Sequence, residues 1–163
     1  MATDARVLPP ARRSFTAPSG AFTLHIASTD GWASPQAQAE LLHTVDGVAR
    51  RLWQQALPQP LGPRQVLVAD SGAVVMLDEW RNSPSPHALL LIAPDGSTRA
   101  HITIDTLVAT LGVPRKTVAT HARFGTWLSS PPQWSLDGST LRLEAAGQTL
   151  LLHLASGQLT LSK

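Results

Sequence analysis

The chain of 163 residues contains no cysteine and no tyrosine, and only 15% of its residues are charged. The lack of cysteine excludes a disulfide framework, a thiolate zinc site and a cysteine nucleophile. The longest unbroken apolar run covers residues 88–93, far short of the roughly 20 residues that a membrane-spanning helix needs. We therefore expect a soluble protein without a membrane span.

Charge is sparse and scattered. The net charge is +2, and the basic residues occur as the isolated pairs Arg12-Arg13, Arg50-Arg51 and Arg115-Lys116. Nucleic-acid binders usually carry a denser basic stripe, so these pairs predict a solvated surface and no nucleic-acid partner. Because 43% of the residues are hydrophobic, the chain can bury the core of a single domain.

The first ten residues lack the apolar stretch of a signal peptide. This predicts a cytoplasmic location, or a periplasmic or secreted one if a leader has been removed.

Three segments of the chain resemble one another. Each is an apolar stretch that ends in Asp-Gly or Ser-Gly, and they cover residues 39–47, 88–96 and 149–157. These dipeptides supply the positive φ angles that tight turns between strands demand. Each segment therefore predicts the third strand of a unit, followed by a turn into a fourth.

A second hairpin signal precedes each segment. It covers residues 14–26, 65–77 and 133–143, with turns at Ser19-Gly20, Ser71-Gly72 and Asp137-Gly138. The sequence thus predicts an all-β, single-domain protein of three four-stranded antiparallel units, at about residues 14–57, 65–104 and 133–162.

Two segments of the sequence could form helices. Residues 36–55 have a helical composition, but Asp46-Gly47 interrupts them and a glycine inside a helix costs about 1 kcal/mol, so we favour a hairpin. The connection at 105–132 predicts one short helical insertion near 105–119. Asp105 is the expected N-cap of a helix at 106–111, Gly112 ends it, and a second turn follows at 114–119.

The repeated unit resembles a blade of the PQQ-like and WD40-like β-propellers. The resemblance rests on Ala93-Pro94-Asp95-Gly96 and Leu154-Ala155-Ser156-Gly157-Gln158-Leu159. The segment containing Leu77-Asp78-Glu79-Trp80 is also similar to uncharacterised bacterial propeller-like proteins. The resemblance implies a binding scaffold and transfers no catalytic residue.

The resemblance is incomplete, since the chain has no Trp-Asp dipeptide and three units are fewer than the four to eight blades of closed propellers. A partial propeller, a sandwich and a ring completed by another chain all remain open.

The sequence offers few candidates for metal-binding or catalytic residues. His43 and His153 occupy equivalent positions of the repeat, which favours a structural role, and we predict no metal and no cofactor. Asp78 and Glu79 are neighbours on a strand and should point to opposite faces. We expect them to bond to backbone or to pair with Arg81. With no nucleophile motif in the sequence, we predict no enzymatic activity. The alternative is a hydrolase or lyase that uses Asp78, Glu79 and a histidine.

The five tryptophans are more informative. Trp53 and Trp134 fall on predicted strands and are expected in the core. Trp32, Trp80 and Trp127 fall in or beside the connections, where tryptophan and arginine often anchor partners. The candidate binding residues are Trp32, Trp80, Arg81, Arg123 and Trp127.

These residues predict a non-enzymatic module that binds another protein, through connections 28–38, 80–87 and 119–130. An inhibitor or immunity protein in a bacterial envelope is one specific form of this hypothesis. The alternative is a subunit of a larger assembly, completed by another chain or by self-association at an open sheet edge.

Overall fold

The computed structural model describes residues 7–80, 86–122 and 127–162, with the backbone alone at 119–122. Twelve strands pair into three four-stranded antiparallel sheets. Sheet 1 contains β1 (Arg12–Thr16), β2 (Phe22–Ser28), β3 (Ala37–Val45) and β4 (Val48–Ala56). Sheet 2 contains β5 (Pro63–Val68), β6 (Val74–Glu79), β7 (Leu89–Ile92) and β8 (Thr98–Ile102). Sheet 3 contains β9 (Gln133–Trp134), β10 (Thr140–Ala145), β11 (Gln148–His153) and β12 (Gln158–Ser162).

The predicted all-β fold of three four-stranded units is confirmed, and each strand pairs with its sequence neighbours. Asp46-Gly47 forms the turn between β3 and β4, whose register runs to Val45 opposite Val48. Both turn residues have positive φ, 52° and 78°, which a continuous helix over 36–55 would not allow.

Sheet 2 is the middle layer and is buried on both faces. Because side chains alternate across a strand, Val74 and Met76 of β6 join a core shared with sheet 1, while Val75 and Leu77 join a core shared with sheet 3. This is why β6 is apolar from Val74 to Leu77 and β7 is apolar throughout, and why their alternation was weak in the sequence.

The outward faces of sheets 1 and 3 are polar instead. A row across sheet 1 carries Ser14, His25, Glu40 and Gln54. The outward side of sheet 3 carries Arg142, Glu144, Thr149 and Thr160. The apolar faces of the three sheets therefore satisfy one another, with the middle sheet covered on both sides.

Two helices connect sheets 2 and 3, namely α1 (Ile104–Leu111) and α2 (Arg115–Ala122). The expected N-cap at Asp105 is wrong. Thr103 caps α1, with its side chain accepting from the backbone N–H of Thr106, and Asp105 lies in the first turn. The hydroxyl of Thr103 satisfies one of the free N–H groups in the first turn, while Asp105 pairs with Arg115 at 3.2 Å.

Helix α1 begins directly after β8 because Ile104, Leu107 and Leu111 put an apolar stripe into the core. Gly112 ends it as predicted, with φ 69°. Neither described helix is long and apolar enough to cross a membrane.

Candidate functional site

A short N-terminal segment brings two of the predicted binding residues to one end of the molecule. We call residues 7–10, which precede β1, the N-terminal strap. The indole Nε1–H of Trp32 donates to the carbonyl of Pro9 at 2.9 Å, and that of Trp80 donates to the carbonyl of Val7 at 2.7 Å. Carbonyls two residues apart are separated by at most roughly 7 Å, so the two indoles share one surface.

The loop that holds Trp32 is built by hydrogen bonds to short polar side chains. The hydroxyl of Ser28 accepts from the backbone N–H of Trp32 at 2.8 Å, and the carboxylate of Asp30 accepts from the hydroxyl and N–H of Ser34. The Ser34 hydroxyl is the main reason that the pKa of Asp30 lies below its ordinary value, with a further contribution from Ser28. Trp32 itself has φ 66°, an uncommon conformation that these bonds stabilise.

Two arginines lie against the ring of Trp80. The guanidinium carbons of Arg13 and Arg64 are 5.1 Å and 4.9 Å from the ring centroid, within the range of cation–π attraction. Arg13 also lies 5.7 Å from the ring of Phe15 on the same strand. We call Arg13, Arg64 and Trp80 the arginine–tryptophan cluster.

Backbone carbonyls fix the two arginines in place. The Nη2 of Arg13 donates to the carbonyl of Pro63 at 2.9 Å, and the Nη1 of Arg64 donates to that of Trp80 at 3.1 Å. Gly62 leaves room for Arg13, because a Cβ there would lie 3.0 Å from its Nη2. The backbone N–H of Trp80 donates to the carbonyl of Gly62 at 2.9 Å, so the loop before β5 positions the whole cluster.

The cluster brings two guanidinium charges close together. Burial and then the nearby charge of Arg64 lower the pKa of Arg13. Within the described residues, neither arginine forms an ion pair with a carboxylate. Beside this charge, Val7 and Leu8 of the strap are about half exposed, at 58% and 49%. One end of sheets 1 and 2 thus combines exposed apolar groups, indoles and guanidinium groups.

Trp127 does not belong to this surface. It is 0% exposed, and its Nε1–H donates to the carbonyl of Ala88 at 2.9 Å. Its ring fills the core between sheets 2 and 3, so it cannot contact a partner in this conformation. Arg81 and Arg123 lie outside the described residues. Trp53 is buried and Trp134 half-buried against the core, as expected.

Asp78 is the described acid whose pKa is strongly raised. Burial raises the pKa of its carboxyl to about 7, opposed by a hydrogen bond from the Trp127 backbone N–H and aided by the charge of Glu79. Its Oδ1 is buried without a hydrogen-bond partner. Asp78 has φ 55°, so the strand bends there, and the carboxyl is bonded to backbone, as one of the sequence-based alternatives foresaw.

Histidine rings stack on neighbouring aromatic rings or form hydrogen bonds. His43 stacks on Phe22 with ring centroids 4.4 Å apart, and His87 stacks on His101 at 5.1 Å. His153 shares a hydrogen bond of 3.2 Å with the hydroxyl of Thr160. Across the described part of the chain, no three His, Asp or Glu side chains are grouped so as to hold a metal ion.

A cavity of about 370 Å³ lies in the wedge between sheets 1 and 2. It is lined by apolar residues with polar groups from Gln55, Thr98 and His101. These lining residues are separate from the strap and from the arginine–tryptophan cluster.

Sequence reasoning located Trp32 and Trp80 but missed Arg13, Arg64 and the strap. Both arginines lie on strands and are far from Trp80 in sequence, so proximity along the chain pointed to Arg81 instead. One signal could have found Arg13, since it alternates with the apolar Phe15 on the inward face of β1.

Comparisons with known proteins give limited help. No protein-family model matches the sequence, and no curated protein matches it either. A structure search finds similarity to the solved structure "Crystal structure of HIRA(644-1017)", with a TM-score of 0.36 and 9% identity, over 94% of this chain and 53% of that one. The chain therefore spans about half the length of that structure, and a likeness at this TM-score supports no inference about function.

Proposed function

We propose that this chain is a non-enzymatic module that binds another protein through the end formed by sheets 1 and 2. We call this end the tryptophan surface and define it by Val7, Leu8, Arg13, Trp32, Arg64 and Trp80. An inhibitor that blocks its target by this surface is one specific form of the proposal.

The observation that carries the proposal is the fixed pair of indoles. Trp32 follows β2 of sheet 1, Trp80 follows β6 of sheet 2, and both donate to the same strap. Each ring is only partly buried. A partner would therefore meet aromatic groups that are already immobilised, which reduces the entropy lost on binding. Tryptophan and arginine are also the residue types most enriched among interface hot spots.

A catalytic role for Asp78 receives less support. Its carboxyl has the raised pKa that a general acid needs, but the residue is only 3% exposed. A substrate cannot reach it in this conformation. The carboxyl contacts the Trp127 backbone, which suits a group that holds the connection between sheets 2 and 3.

The experiment is a comparison of capture by immobilised wild-type protein and by two variants, Trp32→Ala and Trp80→Ala. Proteins retained from cells are identified by mass spectrometry, purified and titrated against each variant. Leu136→Ala serves as the matched control, since Leu136 is a fully exposed hydrophobic residue of sheet 3. Circular dichroism confirms that each variant is folded.

We expect both tryptophan variants to weaken binding of the purified partner at least about thirtyfold, which is the usual threshold of a hot spot. Leu136→Ala should change the affinity by less than twofold. A partner that binds all four proteins equally would refute the tryptophan surface as the working surface.

A further inference from the structure

We infer that the arginine–tryptophan cluster makes the tryptophan surface a receptor for an acidic protein segment, one with several carboxylates in sequence. This inference rests on the proposed function and names the chemistry of the partner. It follows from the closeness of Arg13 and Arg64 in the structure, which the sequence did not predict.

The first step is the location of unbalanced charge. Three other arginines pair with carboxylates of their own sheet or helix pair: Arg51 with Glu40 at 3.7 Å, Arg115 with Asp105 at 3.2 Å, and Arg142 with Glu144 at 2.9 Å. No such pair is found for Arg13 or Arg64 within the described residues. Two cations held close together without an anion repel each other, and a carboxylate that binds between or beside them relieves this repulsion.

The second step is the supply of hydrogen-bond donors. A guanidinium group has five N–H donors. The guanidinium of Arg13 donates to the carbonyl of Pro63, and that of Arg64 donates to the carbonyl of Trp80. Within the described residues, no further hydrogen bond occupies the other donors of either group, which leaves them for a ligand. Because the planar fork of arginine matches a carboxylate in two parallel bonds, this donor set is well suited to Asp and Glu side chains.

The third step is rigidity. The two guanidinium groups lie against one indole, and the indole is tied to the strap by its Nε1–H. Arginine side chains usually lose rotamer entropy when they are ordered. Here that loss has occurred on folding, so a carboxylate ligand binds to groups already in position.

The size of the charged area favours a short peptide over a polynucleotide. The cluster holds only two arginines against one indole, and the chain has a net charge of only +2. A nucleic acid is usually bound by a basic stripe that follows many phosphates. The exposed Val7 and Leu8 beside the cluster add apolar contact, which a peptide side chain can use and a phosphate backbone cannot.

The test is isothermal titration of the full chain with a hexaglutamate peptide at about 50 mM NaCl, where surface charges are weakly screened. We expect saturable binding that weakens at least tenfold at about 500 mM NaCl, and no binding of a hexalysine peptide. Arg64→Gln should weaken hexaglutamate binding at least about tenfold, because the variant loses charge-assisted hydrogen bonds to a carboxylate.

Arg12→Gln is the matched control. Arg12 is exposed on the same strand as Arg13 but points to the opposite face of sheet 1. Arg12→Gln and Arg64→Gln each remove one positive charge. An effect below twofold for Arg12→Gln therefore distinguishes a specific site at Arg64 from general electrostatic attraction. Arg64→Lys keeps the charge without the planar fork and should lie between wild type and Arg64→Gln. Should Arg64→Gln fail to fold, the Lys variant and the salt series decide the question.

Three results would overturn the inference. These are equal weakening by Arg12→Gln and Arg64→Gln, equal affinity for hexaglutamate and hexalysine, and tighter binding of a hexauridylate than of hexaglutamate, which would indicate a nucleic-acid site. Failure here is distinguishable from failure of the proposed function. A captured partner that needs Trp32 and Trp80 but not Arg64 would leave the protein-binding surface intact and remove only its acidic specificity.

Discussion

Trp80 and Val7 are joined by a hydrogen bond of 2.7 Å although 73 residues separate them in sequence. The bond connects the strap before the first strand of sheet 1 to the residue that follows β6 of sheet 2. Together with the bond from Trp32 to Pro9, it ties the strap to sheets 1 and 2, and we call these two hydrogen bonds the clamp. The tryptophan surface is thus assembled from three separate parts of the chain, and its integrity depends on this clamp.

Replacing Trp80 by Phe should weaken the clamp while keeping an aromatic ring beside the two arginines. The variant loses the Nε1–H donor, and one hydrogen bond contributes about 1 kcal/mol to stability. We expect the free energy of unfolding in urea to fall by about that amount and the strap to become sensitive to protease. Trp134→Phe on β9 is the control, and it should leave the strap resistant. Equal protease sensitivity of both variants would contradict the clamp.

The turns between the third and fourth strands should tolerate substitution unequally. Gly47 and Gly157 occupy equivalent turns and share a positive φ of 78° and 76°. A Cβ on Gly47 meets nothing within 4 Å, whereas one on Gly157 lies 2.6 Å from the backbone carbonyl of Arg99 in sheet 2. Alanine at either position costs about 1–2 kcal/mol for the left-handed backbone, and Gly157→Ala adds a clash with rigid backbone.

We therefore expect Gly157→Ala to lower the free energy of unfolding by at least about 1 kcal/mol more than Gly47→Ala does. Urea denaturation followed by circular dichroism measures both. Equal losses would show that sheets 2 and 3 can separate at this turn without cost, against the close approach of Arg99 and Gly157.

The fold could be predicted in unusual detail because its signals are local. Six of the turns inside the three units are marked by Gly after Asp or Ser, and each of these six occurs where the structure places a hairpin. One element was predicted less accurately. The N-cap of α1 was assigned to Asp105 because its carboxylate is a good cap, but Thr103 is the extended residue that directly precedes the helix.

The binding surface was predicted less well than the fold. Trp32 and Trp80 stand out in the sequence because they interrupt polar connections. The fate of Trp127 could not be read from its position, since a residue in a connection can still turn inward when a buried carbonyl such as that of Ala88 needs a donor. The partners of Trp80 also escaped detection, because they come from strands of two different sheets.

Asp78 should make the protein less stable as the pH rises. Its pKa is raised from 3.8 to about 7 in the folded chain, so between these values the folded protein holds a proton that the unfolded chain has lost. Stability from this group is present below pH 4 and is lost as the pH rises through about 7. Asp78→Asn keeps the shape, tolerates the φ of 55° and cannot ionise.

The variant should therefore be more stable than wild type at pH 8, by up to roughly 4 kcal/mol if the whole pKa change is expressed, and much closer to wild type at pH 4. Thermal unfolding across this range measures the difference. Asp95→Asn is a control of opposite sign, because the Ser97 hydroxyl and N–H lower the pKa of Asp95, so that variant should lose stability at neutral pH. A difference between Asp78→Asn and wild type that does not change with pH would contradict the buried, titrating carboxyl.

The mass of the protein in solution tests whether the three sheets are stable without a second chain. A propeller-like ring completed by a second chain would need apolar outer faces on sheets 1 and 3, to pack as sheet 2 packs against its neighbours. The structure instead places His25 and Glu40 on one outer face and Arg142 and Glu144 on the other, and burying such groups without partners is costly. We expect a monomer of 17.4 kDa in light scattering coupled to size exclusion, at every concentration tested.

A stable dimer would contradict this and direct attention to the edge strand β4, where Val48 is 65% exposed and Leu52 is 39% exposed. Glu substitutions at those two positions would then have to restore the monomer if the edge is the contact.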